Sequence, residues 1–269
     1  MKLLELFSGT HSVGKVAQIM NIDVVSLDRD LGAEHQGYKS PIHIKADIMD
    51  WDYKQLPSNS FDIITASPVC LYWSRLRFTW IGRKCKSIHP TDVITKDHIL
   101  HDIETKGKPM VDKVIEIINY FKPKYWWIEN PQTGLMKDYI AETYPNFNKY
   151  YDVDYCKYSN WGYKKTTRFW TNIVNFQPKR CKKDCENMII ENGQKLHSDR
   201  MGTSKTVVDN GKIIRVNTKA LREKYKDFEN VQAKKHKKDV SKGIGGGSNR
   251  LERYRIPPIL IKELLEKCD

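Results

Sequence analysis

The chain has 269 residues, 39% of them hydrophobic and 11% aromatic, which is enough to build a core and excludes global disorder. Its 46 Lys and Arg against 33 Asp and Glu leave a formal charge of +13, which favours a polyanionic partner, nucleic acid first, although a Lys-rich solvated surface gives the same sum. No run approaches the roughly 18 apolar residues of a membrane span, and the start MKLLELF is too short for a signal peptide and carries an acid. Six scattered cysteines (Cys70, Cys85, Cys156, Cys181, Cys185 and Cys268) suit a reducing compartment. An intracellular location is expected, cytoplasmic or, in a eukaryote, nuclear, with no membrane partner.

In chain order, residues 3–7 are a short apolar run that reads as a first strand, followed by a Gly-Thr-His-Ser turn and a helix-like stretch at 13–20. Residues 22–27 and 42–46 are further strand candidates, ending at Asp28 and Asp47. Residues 61–66 are a fourth, ending in Ser67-Pro68-Val69-Cys70. A helix opens at Pro109, with Met110, Val111, Val114, Ile115 and Ile118 on one face at three-and-four spacing. Residues 125–128 make a fifth strand, ending in Glu129-Asn130-Pro131. Strands alternating with helices predict a mostly parallel sheet covered on both faces. Ligands of such sheets sit beyond the carboxyl ends of the strands, here marked by Gly9, Asp28, Asp47, Cys70 and Glu129.

From about 173 to 248 the chain turns Lys- and Asn-rich, with basic clusters at 179–183 and 234–238 and a Gly-rich run at 243–248. This stretch reads as a small appended module. From residue 256 a short helix is expected, with prolines at its start and an apolar face that packs back on the first domain. The expected division is 1–172, 173–248 and 249–269.

The segment from Phe7 to Gly14 (FSGTHSVG) joins the first strand to a helix. Glycine there lets backbone amides approach a ligand, and the helix start favours a polar or anionic group. A plain turn reads equally well, because the pattern is not G-x-G-x-x-G. Asp28 stands where a ribose-binding acid sits in nucleotide-type sheets, although a lone Asp at a strand end is more often a cap or turn residue. Asp47 carries the same two readings. Cys70 is sharper. A buried structural cysteine is the bland alternative, but Cys70 follows Pro68 at a strand end and precedes a segment bearing Trp73, Arg75, Arg77, Trp80 and Arg83. Neighbouring cations can lower a thiol's pKa and make it a nucleophilic thiolate. Glu129, read alone, is a surface ion-pair residue. It lies at the next strand end and should neighbour Cys70, and the two together suit attack on an electrophilic ring with protonation nearby.

In order and spacing these motifs resemble those of the cytosine carbon-5 methyltransferase family. LFSG-THSVG is similar to the family's first motif, which contacts S-adenosylmethionine; SPVC is similar to its Pro-Cys nucleophile motif; IENP is similar to its Glu-Asn motif. The segment from Trp161 to Arg168 (WGYKKTTR) looks like the arginine-bearing motif, after which target recognition begins. The resemblance covers about residues 1–172 and the C-terminal helix. It departs at His11, where a second glycine is usual, at Val69 and Leu71, which replace a proline and a glutamine, and at Lys165, near an expected glutamine. Arg168 is out of strict register, and the asparagine of the final motif has no counterpart near Ile256-Pro257-Pro258.

The resemblance implies an α/β fold: a Rossmann-like, mostly parallel sheet of the class I methyltransferase type with a small basic target-recognition module. It implies an enzyme that moves a methyl group from S-adenosylmethionine to carbon 5 of a flipped-out cytosine in double-stranded DNA through a covalent Cys70 adduct. Glu129 would stabilise charge on the ring, and Arg168 would contact the base or help place Glu129. The implied cofactor residues are Phe7, Ser8, Gly9, His11, Ser12, Val13, Asp28, Asp47, Ile48 and Pro68, with Phe7 on the adenine, Asp28 on the ribose hydroxyls and Asp47 on the adenine amine. Residues 73–108 read as a closing loop whose Ser74, Arg75, Arg77 and Arg83, together with Lys165, touch nucleic acid; a solvated charged loop is the alternative. Two further readings stay open: an RNA cytosine methyltransferase, since a tRNA-directed branch shares these motifs, and a non-catalytic DNA-binding protein on a decayed methyltransferase fold. A monomer is expected.

Cys181 and Cys185, with His197 twelve residues on, fit zinc-ligand spacing. The sequence shows no convincing fourth ligand, Cys156 and His236 being candidates only. A reduced, solvent-facing cysteine pair is the preferred reading, and no metal is expected.

Overall fold

The computed structural model describes residues 1–29, 42–85, 89–191, 193–198, 205–216, 223–227 and 254–268. The basic run 234–238 with His236 and the Gly-rich run 243–248 lie outside the described residues. Cα packing divides the chain into two compact units. The first comprises Met1–Val153, Thr166–Arg180 and Ile256–Asp269; the second comprises Asp154–Lys165 and Cys181–Arg255.

The strands are β1 (Lys2–Leu6), β2 (Asp23–Asp28), β3 (Ile42–Lys45), β4 (Ile63–Ala66), the short pair β5 (Lys84–Cys85) and β6 (His89–Val93), then β7 (Tyr125–Pro131), β8 (Tyr150–Asp154) and β9 (Thr166–Thr171). Seven of them form one sheet in the order β3-β2-β1-β4-β7-β9-β8. The pairings β2·β3, β1·β2, β1·β4 and β4·β7 are parallel, while β9 runs antiparallel to β7. This is the Rossmann-like, mostly parallel α/β sheet that the alternation of elements predicts. Leu3, Leu4 and Leu6 of β1 and Ile63, Ile64 and Ala66 of β4 are all buried, as central strands of such a sheet must be. β8 and β9 were not expected as strands, for TTRFWT and YYDVD carry no clean alternation of apolar and polar residues.

The helices are α1 (Ser12–Ile19), α2 (Lys96–Asp102), α3 (Lys108–Phe121), α4 (Met136–Thr143) and α5 (Pro258–Leu265). The helix expected to open at Pro109 begins earlier: α2 runs through a wide π-turn at Ile103–Gly107 directly into α3. Thr95 starts α2 with a reciprocal cap, its Oγ1 accepting from the His98 amide at 3.1 Å while His98 Nδ1 accepts from the Thr95 amide at 3.4 Å. Val111, Val114, Ile115, Ile117, Ile118 and Phe121 of α3 are buried, a gross stabilisation of about 1.5–3 kcal/mol each before chain entropy is counted. α3 stops where Lys122 turns left-handed (φ 47°) ahead of Pro123. α5 buries Leu260, Ile261, Leu264 and Leu265, and just before it the Ile256 amide donates to Ser12 Oγ at 3.1 Å.

Residues 73–108 are not a simple loop. They hold a 3-10 turn (Arg75–Trp80), the β5·β6 pair and α2, organised around one buried carboxylate. Asp102, 1% exposed, receives Arg77, His89 Nε2 at 3.1 Å and Lys106 Nζ at 2.7 Å. Arg77 was expected on nucleic acid but is wholly buried in this ion pair, so it holds the segment's fold instead. Arg75 is exposed and pairs with Asp138 at 3.1 Å, and Arg83 is also exposed. Among the described residues, no helix is long and apolar enough to cross a membrane.

Burial alone would raise the Asp102 pKa; hydrogen bonds from Lys106 and Arg77 outweigh it and hold the carboxyl below its ordinary value. A carboxyl so lowered stabilises the fold above the ordinary carboxylate range, and that contribution is lost as pH falls through its folded pKa. Tryptophan fluorescence from Trp73 and Trp80 should therefore report loosening of this segment below about pH 4, and Asp102→Asn should flatten that transition. Asp102→Ala, which strands a buried guanidinium, should cost about 3–5 kcal/mol in urea unfolding.

Candidate active site

Glu5 stands inside an otherwise apolar strand, KLLEL, and is 3% exposed. Its Oε1 accepts the backbone amides of Val13 and Gly14 at 3.0 and 3.1 Å, in the first turn of α1. Its Oε2 accepts from Ser26 Oγ at 3.1 Å and lies 3.2 Å from His11 Nδ1. The anion that favours a helix start is thus supplied by the protein itself. The connecting loop is bent around this carboxylate, with Phe7, Gly9 and His11 all at positive φ (56°, 45° and 50°). Phe7 and His11 carry side chains in a region that disfavours them, a strain that the surrounding bonds must hold. Asp28 supports the loop from the end of β2, its Oδ2 accepting the Gly9 amide at 2.8 Å.

The second half of the site is at the ends of β4 and β7. The parallel register pairs Ala66 with Ile128, so Cys70 and Glu129 leave adjacent strand ends. Pro68 follows β4 by two residues, and its carbonyl accepts the Asn130 side-chain amide at 2.8 Å. The turn that follows is closed by the Trp73 amide on the Cys70 carbonyl at 3.2 Å, and the Trp73 carbonyl in turn accepts the Leu135 amide at 2.8 Å. A Cβ on Gly134 would meet the Pro131 carbonyl at 3.2 Å and the Trp73 carbonyl at 3.3 Å, a tight fit that a larger residue could take only if these carbonyls moved slightly. The Trp73 ring stacks on Tyr139 at 5.6 Å. The Cys70 loop and the Glu129 strand end are therefore one bonded assembly, with Cys70 half-buried and Glu129 6% exposed.

No protein-family model matches the chain. It is 37% identical over 272 residues, covering all of both chains, to a Frog virus 3 (isolate Goorha) protein named "Probable DNA (cytosine-5)-methyltransferase". The chain belongs to the DNA cytosine-5 methyltransferase family. Among solved structures, it is similar to a DNMT2 mutant from Spodoptera frugiperda with a TM-score of 0.39 and 14% identity, covering 67% of this chain and 53% of that one. A SAM dependent methyltransferase from Archaeoglobus fulgidus gives 0.34 and 12%, covering 57% and 64%.

The resemblance gave this methyltransferase a catalytic Arg168, and the structure sets that side chain elsewhere. In the antiparallel β7·β9 register Arg168 pairs with Asn130, whereas Glu129 pairs with Phe169. Successive residues of a strand face opposite ways, so Arg168 is on the face opposite Glu129. Its Nε and Nη2 are bound to the Asp152 carboxylate at 2.7 and 2.9 Å, and its guanidinium lies 3.5 Å from the centre of the Tyr150 ring. The Arg168 contacts hold the edge of the sheet. The Glu129 face carries Thr167 instead, buried with an Oγ1 that has no hydrogen-bond partner among the described residues.

His11, expected at the cofactor, turns its imidazole inward onto Glu5 and Ser26. Ile48 and Val13 are buried. Asp47 accepts the Met49 amide at 3.0 Å and pairs with Arg29 at 3.4 Å. Ser12 Oγ accepts the Ile256 amide, the Ser74 backbone carbonyl accepts the Arg77 amide at 3.1 Å, and Lys165 lies 4.8 Å over the Tyr155 ring. S-adenosylmethionine fits the β1 end on one observation above all: Ser8 Oγ is buried there with no hydrogen-bond partner among the described residues, beside a Gly9 whose missing Cβ would meet only the Phe7 carbonyl, at 3.8 Å. The expected solvent-facing pair, Cys181 and Cys185, is buried in the second unit and joined by Cys156 and His197. Glu5 and Asn130 were missed as site residues. An acid inside an apolar strand was the legible signal for Glu5, and the Glu-Asn motif itself was the signal for Asn130.

Glu5→Ala removes the acceptor for two helix amides and a hydroxyl, and should cost about 3–5 kcal/mol in denaturant unfolding. Glu5→Gln keeps an acceptor oxygen for the amides and should cost less, with S-adenosylmethionine binding weakened in both by calorimetric titration. An unchanged unfolding midpoint for Glu5→Ala would remove Glu5 from this role.

Proposed function

We propose that this family member methylates carbon 5 of cytosine in double-stranded DNA, with Cys70 as nucleophile and Glu129 as the group that stabilises charge on the base. The observation that carries the reading is the bonded pairing of the Cys70 loop with the Glu129 strand end through Asn130 and Pro68. Full-length identity of 37% to the Frog virus 3 protein supports the same reaction class.

Cytosine carbon 5 is too weak a nucleophile to take a methyl group unaided. The Cys70 thiolate adds to carbon 6 and makes carbon 5 enamine-like. Glu129 hydrogen-bonds ring nitrogen 3 and the exocyclic amine, where charge develops. S-adenosylmethionine, when bound, supplies the sulfonium methyl that carbon 5 receives. Loss of the carbon 5 proton then restores the ring and expels Cys70 as thiolate. Phe7, Ser8, Gly9, Asp28 and Asp47 are the residues assigned to hold the cofactor. Carbon 6 is hidden in a duplex, so the base must leave the stack at a cost of a few kcal/mol. The basic region 173–248 is assigned to target recognition.

The test is covalent trapping with S-adenosylmethionine and DNA containing 5-fluorocytosine, from which fluorine cannot leave as the proton does. A denaturing gel should show a protein–DNA band with the wild type and none with Cys70→Ala; a band with RNA alone would transfer the activity to RNA. No band with either, despite cofactor binding and varied DNA sequence, would overturn the reading. Glu129→Gln should lower the single-turnover methylation rate by about 100- to 1,000-fold while leaving the unfolding midpoint nearly unchanged.

A further inference from the structure

We infer that Cys156, Cys181, Cys185 and His197 bind one zinc ion, which holds the second unit together. One ligand atom from each of the four lies within 4.8 Å of all the others, and the three cysteines are buried. His197 Nε2 is 3.6 Å from Cys181 Sγ and 3.4 Å from Cys185 Sγ. In a tetrahedral site with Zn–S about 2.3 Å and Zn–N about 2.0–2.1 Å, the sulfur–nitrogen edge is about 3.6 Å. The spacing already matches that edge, with the imidazole nitrogen aimed at the sulfurs.

The surroundings are those of a built ligand set. Cys181 and Cys185 flank a bend in which Lys183 is left-handed (φ 63°) and the Lys182 amide donates to Asp184 Oδ1 at 2.9 Å. The wholly buried Asp154 carboxylate accepts the Cys181 amide at 2.8 Å and pairs with Lys164 at 3.4 Å. Asn187 donates to the Cys156 carbonyl at 2.9 Å and to the Ser159 carbonyl at 2.8 Å, and accepts the Gly162 amide at 2.9 Å. Lys157 reaches Asp184 at 3.1 Å, tying the Cys156 turn to the Cys181–Cys185 turn. Partners outside the ligand set that fix its members' orientation are characteristic of metal sites.

The chemistry selects zinc. Three sulfurs and one imidazole in tetrahedral array form a closed structural zinc set, with no position left for substrate. Three thiolates and a neutral histidine leave one net negative charge around the ion, in a neighbourhood that holds Lys157 and Lys164. A disulfide between any two of the cysteines would use neither the third sulfur nor His197. The local core is also thin: the three cysteines form a buried cluster flanked by Met188 alone among partly buried hydrophobic residues, among the described residues. Small units with little apolar core commonly rely on a metal to order them.

The test is metal analysis of the full chain purified without chelator from zinc-supplemented cells. Wild type and Cys70→Ala should carry about one zinc per chain, and Cys181→Ser/Cys185→Ser below ~0.1. Should the double variant misfold, the wild type still decides. Exchange of its metal for cobalt should give the charge-transfer and ligand-field bands of a tetrahedral site with three sulfurs and one nitrogen, and His197→Ala should alter those bands. Metal-free wild type, a disulfide among Cys156, Cys181 and Cys185, stoichiometric iron in place of zinc, or zinc retained in the double variant would each overturn the assignment. Because occupancy is read without methyl transfer and in Cys70→Ala, the result is independent of the catalytic reading.

Discussion

A buried carboxylate beneath the first strand–helix connection sets the form of the β1 end of the sheet. Glu5 satisfies two amides at the start of α1 and receives Ser26 and His11 from below. These bonds compensate the desolvation of a charge that is otherwise expensive to bury. With the helix start occupied from within, the loop above it leaves the Ser8 hydroxyl and the open face of Gly9 beside the end of β1. The positive φ angles of Phe7, Gly9 and His11 follow, because the chain must fold back over the carboxylate within a few residues. The departure from the family pattern at His11 thereby acquires a physical reason. An imidazole at that position helps to close the buried polar cluster, which a glycine could not do.

The ends of β4 and β7 obey a different rule, that of register. The β4·β7 pairing delivers the Cys70 loop and Glu129 to adjacent strands, and one amide–carbonyl bond from Asn130 to Pro68 ties the two. Across β7·β9, the alternation of faces decides which side chains can join them. Arg168 is on the wrong face and is engaged by Asp152 and Tyr150, whereas Thr167 and Phe169 are on the right one. A charged residue in a familiar motif is thus an unsafe guide to its role when the motif is displaced by one position along a strand.

What was legible in the sequence follows the range of the forces involved. The five parallel-sheet strands, α1 and α5 were readable because apolar runs and periodicity are local signals, and Cys70, Glu129 and Asp28 stood at strand ends for topological reasons. The edge strands β8 and β9 were not readable: their pairing is decided by partners far along the chain. Arg77 looked like a phosphate contact because its partner, Asp102, is 25 residues away, and neither residue announces burial. The Cys181–Cys185 pair was recognised by spacing, but Cys156 is brought to it only by the turn at Tyr155–Lys157 and by Asn187. His11 was placed at the cofactor by its motif position, and no local signal predicted that it would turn inward.

The bond from the Ile256 amide to Ser12 Oγ spans 244 residues of chain and lies within a single unit. A ribosome working at roughly 5–20 residues per second makes its two ends roughly 12–50 s apart. During that interval the face of α1 that α5 will cover emerges without its partner, and both segments of the second unit are made before that partner exists. The covered face of α1 is thus a late product of the chain's order of synthesis, complete only once α5 has been made.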